Sequence, residues 1–429
     1  MATNSVQRIV LPIVSQSHAF RTKPDLGNLD ELERTVKVLK QSLDFDLEHF
    51  QSGRAFPSEF YGDQVWKALR VLLRQNWLAV GHMKDLAKPF DYFTVNFAGG
   101  PLLVIKDEEG KIHAFKNRCT HEKKIVVAPP EYPEKGNLSD VKRLDNKKML
   151  KCFYHGMKFK IDDNSQLTKY VVDTWGPLVF VLMQDLRDKP EQIEREKERL
   201  HAMLAPLNEI TKDMDISSFQ TDDEEWNDPL KCHSWLYDGN YCDANHLRDT
   251  HTTTLAETLE LPEYHCQYFG PASLQTCPVK EPSEIPGGAR VYYFKLPPTA
   301  AINICKQNRD RNIPLPPDVI NMDSMDTNIV RPMDRKNTIV TFGFHFPPGW
   351  DKSLKEGEPS LSKKYRASCE KIQYEDRDRC ENTQLGIESD LEGDRDDYGH
   401  FMRPEILKFA FQKWTVEELE KIIAEAKKQ

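Results

Sequence analysis

The sequence predicts an α+β protein in which a small all-β domain lies between a helical N-terminal segment and a larger domain of mixed helices and strands. Three observations carry this. Strand-length apolar runs crowd residues 78–115, punctuated by Gly99-Gly100 and Asp107-Glu108-Glu109-Gly110 turns. Helix-like stretches of mixed charge flank that region on both sides. The chain has 429 residues, 39% hydrophobic and 30% charged, which fits about two or three globular domains.

Taken in order, residues 1–74 form a tail and a helical segment. No acidic residue precedes Asp25, while Arg8, Arg21 and Lys23 are basic and Ser5, Ser15 and Ser17 are present. That composition resembles an organellar transit peptide, with an ordinary disordered tail as the alternative. The expected location is therefore cytoplasmic or, if the tail is a targeting signal, mitochondrial or plastid. Helices are expected over Leu29 to His49 and Phe60 to Leu73. The β domain is expected over 75–185, with strands at Leu78–Gly81, Tyr92–Val95, Leu102–Ile105, Ile112–Phe115 and Pro177–Met183. Within it, Ala128 to Asn146 is Pro-rich and charged, and reads as a surface insertion. Residues 186–429 are expected to form the α+β domain. Its elements are a helix over Glu191–Lys212, a helical segment near 235–260, strands at Arg290–Lys295 and Thr338–Phe346, and a helical tail from Leu361 ending in Val416–Lys428.

Charge and cysteine use narrow the function. There are 59 Lys+Arg against 68 Asp+Glu, a net charge of −9, which argues against nucleic acid as a bulk partner. No window approaches the roughly 20 apolar residues of a membrane span. Nine scattered cysteines do not read as a disulfide framework, so each is a candidate metal ligand in a reducing compartment.

Two constellations carry the chemistry. In the first, Cys119-Thr120-His121 is followed after 30 residues by Cys152-Phe153-Tyr154-His155-Gly156. Two Cys and two His suit tetrahedral zinc. Each unit here contributes one of each type, however, which is the Rieske arrangement: two Cys on one iron of a [2Fe–2S] cluster and two His on the other. Tyr154 and the N–H groups around Gly156 are candidate donors to the sulfurs. In the second, Asp243 and His246 are spaced i, i+3, as on one helix face. His251 follows five residues later, an offset that fits a helix bulging or ending between them. Two His and a distant carboxylate make the facial triad of a non-haem Fe(II) oxygenase. Ordinary surface and capping residues are the alternative.

Together the motifs resemble those of the Rieske non-haem iron oxygenases. Met325-Asp326-Thr327-Asn328-Ile329-Val330 and Asn240-Tyr241-x-Asp243 resemble the choline monooxygenase and quaternary-amine branch; Trp175 to Val181 resembles the end of the Rieske domain. Glu122-Lys123 and Met157 depart from the family's Arg-Gly after the first His and Trp after His-Gly. The resemblance implies a Rieske all-β domain plus a catalytic domain with an antiparallel sheet flanked by helices. It implies His246 and His251 as iron ligands, with Asp376, eight residues before Gln384, as the third. Asp378 is the rival, and a solvated acidic face the alternative; Glu388 to Asp397 reads as such a face. The resemblance makes Asp243 a bridging carboxylate toward His155 of a neighbouring subunit, in a head-to-tail homotrimer. It also implies a ferredoxin or flavin reductase as electron donor, O₂, and a small quaternary or N-methylated amine substrate. No nicotinamide fingerprint such as G-x-G-x-x-G is evident. The expected reaction is choline to betaine aldehyde hydrate. The alternatives are N-demethylation of glycine betaine or another N-methylated substrate, or a non-enzymatic electron carrier or structural metalloprotein. Aromatic faces should recognise the ammonium. Trp235, Tyr237, Tyr292, Tyr293, Phe342, Phe344 and Phe346 are candidates, though most read as core.

Overall fold

The computed structural model describes residues 24–45, 55–141, 149–223, 225–280, 288–310, 312–313, 315, 320–353, 355–392, 401 and 405–428. The acid-free N-terminal tail lies outside them. The helices are α1 (Leu29–Ser42), α2 (Asp63–Gln75), α3 (Pro190–Thr211), α4 (Ser234–Tyr241), α5 (Leu247–Thr250), α6 (Leu255–Thr258), α7 (Leu361–Glu392) and α8 (Ile406–Lys427). Two compact units result. One is Leu73–Ala202 with Arg331–Asp334; the remaining described residues form the other.

The first unit is a seven-stranded antiparallel sheet. Its strands are β1 (Trp77–His82), β2 (Asp91–Phe97), β3 (Gly100–Lys106), β4 (Ile112–Lys116), β5 (Lys135–Asn137), β8 (Lys169–Trp175) and β9 (Leu178–Leu182), in the order β1-β9-β8-β4-β3-β2-β5. A separate two-stranded ladder pairs β6 (Leu150–Lys151) with β7 (Lys158–Phe159). The four early runs read from sequence are strands β1 to β4. The surface-insertion expectation for Ala128 to Asn146 does not hold across its described residues. Tyr132 and Leu138 are buried with Leu103, Phe115, Cys119 and Cys152, and β5 pairs with β2. The Tyr132 hydroxyl donates to the Lys151 carbonyl at 3.1 Å and accepts from the Lys151 N–H at 3.0 Å, so this stretch clasps β6. Its prolines and charges concealed one large buried aromatic.

The second unit is built on eight strands: β10 (Gln220–Thr221), β11 (Trp226–Leu230), β12 (His265–Phe269), β13 (Ala272–Pro278), β14 (Ala289–Leu296), β15 (Ala300–Gln307), β16 (Ser324–Pro332) and β17 (Thr338–Phe346). The order is β10-β17-β16-β15-β14-β13-β12, with β11 also on β17. The sheet carries helices, the architecture the motifs imply. Helix α7 is held in register by its inner face. Gln373 donates to Asp228 of β11 at 2.8 Å, and Arg377 pairs with the same carboxylate. The two contacts bracket Asp376. Glu388 is not a solvated residue: it pairs with Arg335 at 2.6 Å and with Lys336. Burial works against its ionisation, but the two cations outweigh that and bring its carboxyl down to about 2.

Candidate active site

In the β-sheet unit, the two Cys/His segments fold into loops of the same hydrogen-bond pattern. The Cys119 N–H donates to the Lys124 carbonyl and the Lys123 N–H to the Cys119 carbonyl, at 2.8 and 3.2 Å. The Cys152 N–H donates to the Met157 carbonyl and the Gly156 N–H to the Cys152 carbonyl, at 2.8 and 2.9 Å. Lys123 and Gly156 occupy equivalent positions, both left-handed, with φ of 67° and 75°. Asn117 closes the base of the first loop by two hydrogen bonds to Val127, at 2.8 and 2.9 Å. The Gly156 N–H is thus committed to a carbonyl, which removes it from the expected donors to sulfur.

Both cysteines are free thiols buried in the unit's core, whereas both histidines are exposed. The imidazoles converge, with Nδ1 of His121 and Nδ1 of His155 3.1 Å apart. Two donors about 2.1 Å from one metal and near right angles to each other stand about 3 Å apart, so this spacing fits a shared iron. Buried thiols on one side and solvent-facing imidazoles on the other fit the two ends of a Rieske cluster. The exposed Tyr154 ring lies 4.0 Å, centroid to centroid, from that of His155.

In the other unit, three donor atoms from α5 and its flanks and from α7 converge. Nε2 of His246 and Nε2 of His251 are 3.2 Å apart, and Oδ1 of Asp376 lies 3.5 and 3.2 Å from them. These are donor separations of one divalent cation bound on a face. Asp376, not Asp378, belongs to this group. The local chain explains the placement. Helix α4 ends at Tyr241, Asp243 caps a 3-10 turn over Ala244–His246, and α5 ends just before His251. Asp243 and His246 therefore do not share a helix face. The Asp243 carboxylate accepts from the Asn245 N–H at 2.9 Å and stands 3.7 Å from Nδ1 of His246.

Electrostatics suit a cation. Burial disfavours the Asp376 carboxylate, yet hydrogen bonds from His246 and His251 outweigh it and hold the group well below the carboxylate range. Burial likewise works against a charged His246, but Asp243 and Asp376 outweigh it and raise the imidazole to about 9. A metal would take the place of that proton. Two supporting residues escaped sequence reasoning. Glu375 accepts from Nδ1 of His251 and from the Thr254 hydroxyl, both at 2.7 Å, which turns Nε2 of His251 toward Asp376. Asn240 donates to Oδ1 of Asp376 at 2.7 Å. Glu375 was one acid in the run Glu375 to Glu381, and only a helical register distinguishes it from Asp376.

Residues 76–172 match the Rieske [2Fe-2S] domain family. Choline monooxygenase, chloroplastic, of Arabidopsis thaliana is 26% identical over 364 residues, covering 78% of this chain and 76% of that protein. The chain thus carries a Rieske [2Fe-2S] domain and is similar over most of its length to a Rieske-type monooxygenase. This chain's cofactors are a [2Fe–2S] cluster and a mononuclear iron. Among solved structures, a quaternary ammonium Rieske monooxygenase aligns with TM-score 0.63 and 18% identity, over 88% of this chain and 98% of that one. Naphthalene 1,2-dioxygenase from Rhodococcus sp. aligns equally well, with TM-score 0.63, 12% identity and coverage of 93% and 99%. The oxygenase fold is therefore common to both and does not select a substrate.

Of the seven aromatic candidates, Trp235, Tyr237, Phe342, Phe344 and Phe346 are buried. The Trp235 indole donates to Thr415 at 3.0 Å and the Tyr237 hydroxyl to Gln373 at 3.0 Å. Tyr292 and Tyr293 point to opposite faces of β14. Among the described residues, no helix is long and apolar enough to cross a membrane.

Proposed function

We propose that this oxygenase hydroxylates a small quaternary ammonium compound, with choline converted to betaine aldehyde hydrate as the preferred reaction. The observation that carries the reading is the pairing of a Cys₂His₂ loop pair with a His₂Asp triad in one chain. Similarity to a choline monooxygenase over most of the length supports the branch. The balanced reaction consumes choline, O₂, two electrons and two protons, and gives betaine aldehyde hydrate and water.

We assign Cys119 and Cys152 to one cluster iron and His121 and His155 to the other. His246, His251 and Asp376 are assigned to the mononuclear iron. When bound, the cluster supplies single electrons and the iron supplies O₂ activation for C–H hydroxylation. The chain's residues orient and insulate. Glu375 holds the Nδ1 proton of His251, so Nε2 presents its lone pair. Asn240 fixes one oxygen of Asp376. Asp243, beside His246, is assigned the coupling to His155 of a neighbouring subunit in a homotrimer. A ferredoxin or flavin reductase is the assigned electron source.

The test supplies metal-loaded protein with a ferredoxin–reductase pair, choline and ¹⁸O₂, and reads products by mass spectrometry. Betaine aldehyde, with label in its hydrate, is expected. Formaldehyde from choline, glycine betaine or carnitine would move the assignment to N-demethylation. No product from any of the three, with the cluster shown to be reduced, would overturn the reading.

A further inference from the structure

The sheet of the second unit carries a continuous polar row. Its register places Gln275, Tyr293, Asn303 and Asp326 directly opposite one another on β13, β14, β15 and β16. Directly opposed residues share a face. Over this row lie Tyr241, at the end of α4, and Tyr365, on α7. The Tyr241 hydroxyl donates to Oδ1 of Asn303 at 2.6 Å, the Asn303 amide donates to Oδ1 of Asp326 at 2.6 Å, and the Tyr365 hydroxyl donates to Oδ2 of Asp326 at 2.7 Å.

Asp326 is 4% exposed. Its partners are two neutral donors, and no Lys, Arg or His pairs with it among the described residues. A buried carboxylate without a counter-charge is costly unless something supplies that charge. The strands do not supply it. Of the cations on β13 to β16, Arg290, Lys306 and Arg331 alternate to the other face; Lys295 shares the face of Tyr293 and stands 6.0 Å from the Tyr241 ring centroid, but its charge is paired with the buried Asp238. Burial accordingly raises the Asp326 carboxyl to about 6, against the opposing pull of the hydrogen bonds from Tyr365 and Asn303. Meanwhile Tyr241, Tyr293 and Tyr365 stay partly exposed in the middle of the unit. Three half-buried tyrosines around an anion without a counter-charge are the kind of environment a methylated ammonium binds. Tyr241 follows Asn240, which donates to Oδ1 of Asp376 at 2.7 Å, so the Tyr241 end of this group reaches the iron triad.

Resting on the oxygenase reading above, we infer that Asp326 with the rings of Tyr241, Tyr293 and Tyr365 forms the subsite that receives the substrate's cationic head group. Asp326 contributes the charge and the tyrosines the apolar, quadrupolar walls. Asn303 is a positioning residue that holds both Tyr241 and Asp326.

The test compares choline with 3,3-dimethylbutan-1-ol, its uncharged isostere, by calorimetry on anaerobic, metal-loaded protein. The wild type should bind choline at least about ten-fold more tightly than the isostere. Asp326→Asn should erase most of that preference while leaving the isostere's affinity within about two-fold. Tyr293→Leu removes a ring without touching the Asp326 hydrogen bonds, and should weaken choline about five-fold. It keeps the test alive if Asp326→Asn does not fold. An unchanged preference in either folded variant, or no preference in the wild type, overturns the subsite. Failure of choline to bind protein that shows a reduced-cluster resonance also overturns it, and leaves the oxygenase reading standing. Loss of that resonance instead removes the oxygenase reading, while the binding comparison still scores the subsite.

Discussion

Replacing Glu375 with Ala should weaken the iron site without dismantling the fold. In the structure one oxygen of Glu375 accepts two hydrogen bonds, from Nδ1 of His251 and from the Thr254 hydroxyl, each at 2.7 Å. The His251 side chain is 1% exposed, so water does not readily take the vacated place. The charge-assisted bond fixes the tautomer and the ring angle, and its removal leaves a buried donor unpaired. Loss of such an outer partner costs about 10–100-fold in metal affinity, or about 1.4–2.7 kcal/mol. The assay is iron retention against a graded chelator, read by elemental analysis, with thermal unfolding as the control for folding. Glu375→Gln keeps an acceptor but no charge, and should fall between Ala and wild type. Iron affinity within three-fold of wild type in a folded Glu375→Ala protein would refute the proposed orientation of His251.

Asp243→Asn should retain both metals by elemental analysis while steady-state turnover collapses; wild-type turnover would exclude the inter-subunit role. Glu388→Gln tests the Arg335 and Lys336 contacts through pH. Its folded carboxyl sits near 2 against the usual 4.5, so its stabilisation is fully present above 4.5 and is lost as pH falls toward about 2. The variant should be about 1–2 kcal/mol less stable at pH 7, after allowance for solvent screening, with the difference closing in acid denaturation curves; a difference that persists near pH 2 contradicts the pairing. Lys123→Gly should stabilise the Rieske unit by about 0.5–1 kcal/mol in urea unfolding, because φ of 67° suits glycine and strains lysine. A less stable variant would mean that the Lys123 side chain does more than occupy the position.

The pairs Cys119/His121, Cys152/His155 and His246/His251 were legible because each lies within a short segment of residue types scarce elsewhere, whereas Asp376, in an acid-rich run far from the histidines, was reached only through the family resemblance. Strands β1 to β4 were legible for a similar reason: each is an apolar run closed by a turn. Strands β12, β13, β15 and β16 were not. Met325 to Val330 of β16 is buried throughout, yet it mixes Met, Asp, Thr, Asn, Ile and Val, because one face carries Asp326 and Asn328, whose polar groups find partners on Asn303, Tyr365 and Tyr237. Periodicity cannot separate that pattern from loop. Helix α7 shows the same difficulty. Its inner face carries Tyr365, Gln373, Asp376, Cys380 and Gln384, so the side toward the sheet is hardly more apolar than the side toward water. Tyr132 was hidden by prolines around it. Glu375 and Asn240 act through contacts far apart in sequence, which no spacing rule exposes.

The central claim is that Cys119, His121, Cys152 and His155 hold a Rieske cluster in a working oxygenase. Electron paramagnetic resonance of anaerobically purified, dithionite-reduced protein addresses it most directly. The account predicts a Rieske-type [2Fe–2S] signal that is abolished in Cys119→Ser. Fully metallated protein that contains zinc and gives no such signal would contradict it.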